Sequence, residues 1–159
     1  MNKYSFLGLI LGFTFISSSA FAAVDPEVSY ILNTLLFLIG GFLVMWMAAG
    51  FAMLESGLVT SKSVATIAAK NIGLYSIAGL MFWFIGYNLA YGIPEGGFIG
   101  TFLPWSDASS IETGYSDGSD WFFQMVFCAT TCSIVSGTMA ERIKIWPFFL
   151  FCAILAGII

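Results

Sequence analysis

The sequence predicts an all-α fold, a polytopic transmembrane helical bundle, and three observations carry that prediction. The chain of 159 residues is 59% hydrophobic and only 9% charged, whereas a soluble domain carries about 25% charged residues. Its apolar residues lie in charge-free runs at 28–54, 71–91 and 121–140. Each matches or exceeds the roughly 20 residues a helix needs to cross a hydrocarbon core of about 30 Å. Beyond residue 22 the basic residues are Lys62, Lys70, Arg142 and Lys144 alone. Alternating spans put all four on or near one side, which is the positive-inside pattern.

The same composition excludes several functions. With no histidine in the chain, imidazole acid–base chemistry and most transition-metal sites are ruled out. A net charge of −4 leaves no basic surface for nucleic acid. Cys128, Cys132 and Cys152 sit in apolar runs without further ligands nearby and read as small packing residues. No Ser–His, Cys–His or paired-carboxylate set is present, and no phosphate-binding loop, so neither a catalytic residue, a metal nor a cofactor is expected.

Taken in order, residues 1–22 read as a secretory signal peptide. Lys3 is its positive start, residues 6–16 its apolar core and Ala20-Phe21-Ala22 its small-x-small cleavage site. The core is too short to span, and export would place the mature N-terminus outside. The first span is expected over about 28–58. Gly40-Gly41 and Ala48-Ala49-Gly50 within it offer a small-residue face for helix packing. Glu55, near its inner end, is expected to face water or headgroups, the other reading being a buried acid with a partner. The second span covers about 65–91. Lys70 can snorkel back to the headgroups, Asn71 and Asn88 need helix partners, and Trp83, Tyr87 and Tyr91 resemble an interfacial belt.

Residues 92–120 form the one long hydrophilic connection, with Glu95, Asp107, Glu112, Asp117 and Asp120 and no basic residue. Such a loop either enriches cations at an entrance or is simply solvated. The third span covers 121–140, its Thr130, Thr131, Ser133, Ser136, Gly137 and Thr138 allowing close helix approach. Phe123 and Phe127 are four apart and share a helix face. By spacing alone the pair is either ordinary packing or two stacked rings that close a passage. Ring faces hold a small cation with about 0.5–2 kcal/mol. The fourth span starts near 145, with Pro147 in its first turn, and 145–159 reads as an incomplete helix. The chain is accordingly expected to be a fragment.

The blocks AGFAMLESGLV (49–59), GYNLAYG (86–92) and FFQMVFCATTCSIVSGTMAERIK (122–144) resemble the ammonium transporter (Amt/Mep/Rhesus) family, and the resemblance covers residues 28–159. It implies an inverted-repeat helical fold of eleven spans, of which only the first three to four are present, assembled as a homotrimer. It further implies that ammonium is recruited at an outer vestibule, deprotonated and passed through a hydrophobic pore lined by two histidines. Carried over by motif, Phe123 and Phe127 are the substrate-binding and gate pair. Phe127 would flank the recruitment site, with Phe123 below or beside it as the gate. The family's vestibule tryptophan, structural aspartate and channel histidines would lie beyond residue 159. Glu55 departs from the Tyr or Cys of many relatives.

The resulting expectation is residues 23–159 as the N-terminal part of an ammonium transporter domain in the cell inner membrane. Its substrates would be ammonium and methylammonium, with a trimeric signalling protein as a possible cytoplasmic regulator. An ammonium sensor with a transporter-like domain, and a small structural or regulatory membrane subunit, are the rival readings.

Overall fold

The computed structural model describes residues 25–159, so the signal-peptide reading of 1–22 lies outside the described residues. The described chain is helical, with α1 at Pro26–Leu58, α2 at Val64–Met81, α3 at Tyr87–Tyr91, α4 at Asp117–Thr138 and α5 at Ile145–Gly157. A π-helical turn, Phe82–Gly86, joins α2 to α3, so 64–91 is one continuous rod. Pro26–Leu58 and Ser61–Tyr91 are long and apolar enough to cross a membrane.

Local chemistry explains where the helices begin. Asp25 accepts the Glu27 N–H at 3.0 Å and Pro26 opens α1, a helix start in which the missing proline N–H costs nothing. Helix α4 begins four residues before the apolar run. Asp117 and Asp120, read from sequence as loop, lie in its first turn, where carboxylates oppose the helix dipole favourably. The π turn had no counterpart in the sequence reading. One of its carbonyls, Trp83 O, accepts the Trp105 N–H at 2.8 Å, which binds the long loop onto the second rod.

Helix α4 is the centre of the bundle. It packs along α1 on one side and α2 on another, and α5 closes over α2. The core contains Leu74 and Ala78 from α2, Ala129 and Cys132 from α4, and Phe148, Cys152 and Ala156 from α5. All three cysteines are free, and Cys132 and Cys152 are fully buried in this layer as small packing groups. The outer face of α1 is bare apolar surface, with Leu36, Leu43, Trp46 and Met53 exposed. Lipid or further helices suit such a face, because water does not.

Hydrogen bonds assign the two ends of the bundle. At one end Asn33 donates to Gly114 O at 2.9 Å and Ser116 N–H to Thr34 Oγ1 at 3.0 Å, so the start of α1 meets the long loop. At the other, Thr60 N–H donates to Glu141 Oε1 at 3.1 Å. The α1–α2 and α4–α5 connections therefore share an end, and Lys62, Arg142 and Lys144 with them.

Candidate functional site

The aromatic pair is built on a double glycine. A Cβ on Gly40 would lie 2.8 Å from Phe123 Cε2, and one on Gly41 would lie 2.6 Å from Phe122 Cε1. The two glycines expected to serve helix packing thus admit two specific rings of α4. Phe123 also meets Phe37, with centroids 5.4 Å apart, and Phe37 meets Tyr115 at 5.1 Å. Phe123 is therefore clamped against α1.

Phe127 is held differently. Its ring centroid is 5.1 Å from that of Phe123 at an interplanar angle of 76°. The contact is edge-to-face, not the stacked arrangement that was one of the two readings of the spacing, and it puts the positive ring edge on a negative face. Phe127 is 44% exposed. Thr131, Ile134 and Thr138 continue the same exposed stripe down α4 at the four-three-four spacing of one helix face. Helix direction also settles the order of the two rings. Phe123 lies about one turn, roughly 5 Å, nearer the long-loop end.

The acids of the long loop are largely engaged. Asp107 accepts from Ser109 N–H at 3.0 Å and from the Ser109 hydroxyl, bonds that hold its carboxyl below the usual range. Asp117 accepts from Ala108 N–H at 3.1 Å. Asp120 takes the Tyr87 hydroxyl at 2.7 Å, and nearby the Trp105 and Trp121 rings lie 5.4 Å apart, tilted by 31°. Asn88, expected to find a helix partner, instead donates to Leu103 O and Pro104 O of the loop at 2.8 and 2.9 Å.

The largest departure from sequence expectation is at the opposite end. Glu55 is not at water or headgroups, and Lys70 does not snorkel. Their side chains are 2% and 6% exposed, and Lys70 Nζ lies 3.1 Å from Glu55 Oε2. Ser136 Oγ donates to the same carboxylate oxygen at 2.9 Å, and Lys70 donates to Ser136 O at 3.1 Å. The ammonium also sits 5.1 Å from the centre of the Phe148 ring. Helices α1, α2, α4 and α5 all converge on this one pair. Helix α4 has no basic residue in its own last turn. Lys70 supplies the cation its C-terminal carbonyls favour. The legible signal was two lone opposite charges, each bordering an apolar run near the same end of adjacent spans.

Just beyond α4, Glu141 adopts φ 61°, a left-handed conformation uncommon outside glycine. Its carboxylate accepts Thr60 N–H at 3.1 Å and Thr60 Oγ1 at 2.5 Å. Hydrogen bonds from the Thr60 and Ser63 side chains, then from the Thr60 backbone, hold that carboxyl below its ordinary range, with Lys62 adding a smaller pull.

Helices of membrane-spanning length, a bare apolar outer face, and charges either paired inside or gathered at the ends define a polytopic helical membrane protein. Residues 35–159 match the Ammonium Transporter Family, and the chain belongs to that family. It is similar to the ammonium transporter Amt2 of Archaeoglobus fulgidus, 41% identical over 77% of this chain and 26% of that protein. An ammonium transporter of Aquifex aeolicus is 30% identical over 95% of this chain and 36% of its own length. Amt2 of Methanocaldococcus jannaschii is 38% identical over 75% of this chain and 28% of its own. The chain thus spans about a quarter to just over a third of these relatives.

Proposed function

We propose that residues 23–159 are the N-terminal part of a protein that moves ammonium across the cell inner membrane. In this reading residues 1–22 are a cleaved signal peptide and the mature N-terminus is periplasmic or extracellular. The basic connections at Lys62 and Arg142–Lys144 then face the cytoplasm. The observation that carries the reading is the match of residues 35–159 to the Ammonium Transporter Family; Phe127 is the accessible ring held edge-on by a neighbour locked against Gly40. A ring offered to a passage has to be both accessible and fixed.

Ammonium would be recruited at an outer vestibule beside Phe127, where a π face favours a cation as its water is stripped. Thr131 and Thr138 alternate with Ile134 below it and would line the way inward for the deprotonated species. Phe123, in edge-to-face contact with Phe127, would be the gate ring beside it. The similarity of the chain to proteins named ammonium transporters supports the substrate. The homotrimer and a trimeric regulator at the cytoplasmic end belong to the same proposal.

The test is Phe127→Ala in the full-length protein, with methylammonium uptake measured alongside membrane abundance. Uptake changed by about tenfold or more at unchanged abundance is expected, the worth of a desolvated cation–π contact. Unchanged uptake kinetics would remove Phe127 from the passage.

A further inference from the structure

Helix α4 has two opposite faces. Ser136 follows Phe127 by nine positions, about two and a half helical turns. It therefore stands directly behind the stripe of Phe127, Thr131, Ile134 and Thr138. The back of the helix is formed by Ala129, Cys132, Ser133 and Ser136, none more than 1% exposed. Side chains this small let neighbouring helices come close, but they offer no large ridges to interlock. Packing alone specifies the rotation of such a helix weakly.

The two halves of α4 solve this differently. Toward the long loop, Phe122 and Phe123 sit on Gly41 and Gly40 of α1, and two seated rings fix the rotation. Toward the basic connections, a carbon added at Gly137 would meet only the Glu55 stem, at 3.8 Å. The directional contacts of this inner half are those of Ser136. Its hydroxyl donates to Glu55 Oε2 at 2.9 Å, and its carbonyl accepts from Lys70 Nζ at 3.1 Å. Glu55 and Lys70 are joined to each other at 3.1 Å. One residue on the back of α4 is thus held from α1 and α2 at once.

We propose that Glu55, Lys70 and Ser136 are positioning residues, which fix the rotation of the inner half of α4 and so aim Ile134 and Thr138 into the passage. Hydrogen bonds weaken steeply as their angles open, so turning α4 about its axis strains both bonds to Ser136. Small apolar contacts would tolerate the same turn. A buried ion pair is a poor source of stability, and its best-attested use is to fix register. None of the three residues belongs to the stripe; they act through the backbone of α4. The inference rests on the reading of that stripe as the wall of a passage. Because rings hold the recruitment end and charges the inner end, the two ends should answer to different substitutions.

The test uses the full-length protein carrying Glu55→Leu/Lys70→Met, an apolar pair of similar volume that lacks the grip on Ser136. Methylammonium uptake is measured across concentrations per amount of protein in the membrane, with thermal unfolding of the same preparation. Near-parental stability is expected, with maximal uptake lowered about tenfold or more, the scale on which displacements of about 1 Å act in positioned sites. KM should not change, because the Phe127 end keeps its own seat. A cluster that matters only for folding would restore uptake together with stability, so parental uptake in a stable double variant overturns the proposal. A parallel rise in KM also overturns it, since the ring end would then have moved too. If the double variant does not fold, Ser136→Ala decides, because it keeps both charges and removes one bond to α4. Lower maximal uptake at constant KM supports the proposal there, and parental kinetics overturn it. Phe127→Ala in the same assay separates the two claims. Parental uptake in that variant beside a deficient double variant removes the ring from the passage and leaves the grip on α4 standing. The converse result removes the positioning role alone.

Discussion

The contact between α1 and α4 is made by opposite chemistries at its two ends. Near the long loop, Gly40 and Gly41 bring two backbones close enough for Phe122 and Phe123 to lie directly on α1. That contact is cheap to form, because neither partner gives up hydration of any consequence. Near the basic connections, Glu55 and Lys70 meet in a dry interior with Ser136 between α1 and α4. Here each partner is tolerable only while the other is present, since an isolated buried charge carries a desolvation cost that its mate offsets. The ring end resists change in proportion to lost packing. The charged end fails in one step.

The sharpest way to break the comparison is at the charged end. Glu55→Gln or Lys70→Met leaves one buried charge alone and is expected to destabilise the protein by about 3–5 kcal/mol. Thermal unfolding in detergent would measure it. The double change Glu55→Leu/Lys70→Met should recover most of that loss, because an apolar pair of similar volume often matches a buried ion pair. If the double variant is as unstable as the sum of the singles, the two groups are not coupled.

At the ring end the expected effect is smaller. Gly40→Ala places a methyl where Phe123 now lies, and the overpacking should cost about 1–3 kcal/mol. Gly50→Ala, on the same helix with nothing within 4 Å of the added carbon, is the matched control. It should be neutral or slightly stabilising, since alanine is the better helix former. Equal effects at the two glycines would mean that Phe123 is not seated as described.

The smallest effect belongs to Glu141, whose bonds to Thr60 lie in water-accessible connections. Its folded carboxyl titrates below its unfolded value. The contribution is therefore complete at neutral pH and is lost as pH falls through that lowered value, where the folded state must take up the proton. A pH series of melting temperatures should show a shallower acid limb in Glu141→Gln than in the parent. Parallel limbs would mean the Thr60 bonds do not matter to folding.

Much of this fold was legible in the sequence because hydropathy and length act locally. The runs at 28–54 and 71–91 became helices at Pro26–Leu58 and across 64–91. The boundary of α4 was misplaced because Asp117 and Asp120 look like loop residues until a helix dipole is there to favour them. The π turn at Phe82–Gly86 left no local mark. The Phe123 and Phe127 pair was visible as a four-residue spacing, but its edge-to-face angle and the unequal exposure of the two rings were not.

By itself the sequence determined the helical class, the number and rough limits of the apolar runs, and the gathering of basic residues toward one end. These follow from the bilayer's demand for uninterrupted apolar, self-bonded backbone, which each segment meets alone. Only the tertiary structure decided which face of each helix turns toward which neighbour. Periodicity defines a face without saying what it meets, so Glu55 read as a helix-end acid and Lys70 as a snorkelling base. The rotation of α1, α2 and α4 about their own axes brings the two within 3.1 Å, and that rotation is set by packing across all of their contacts at once.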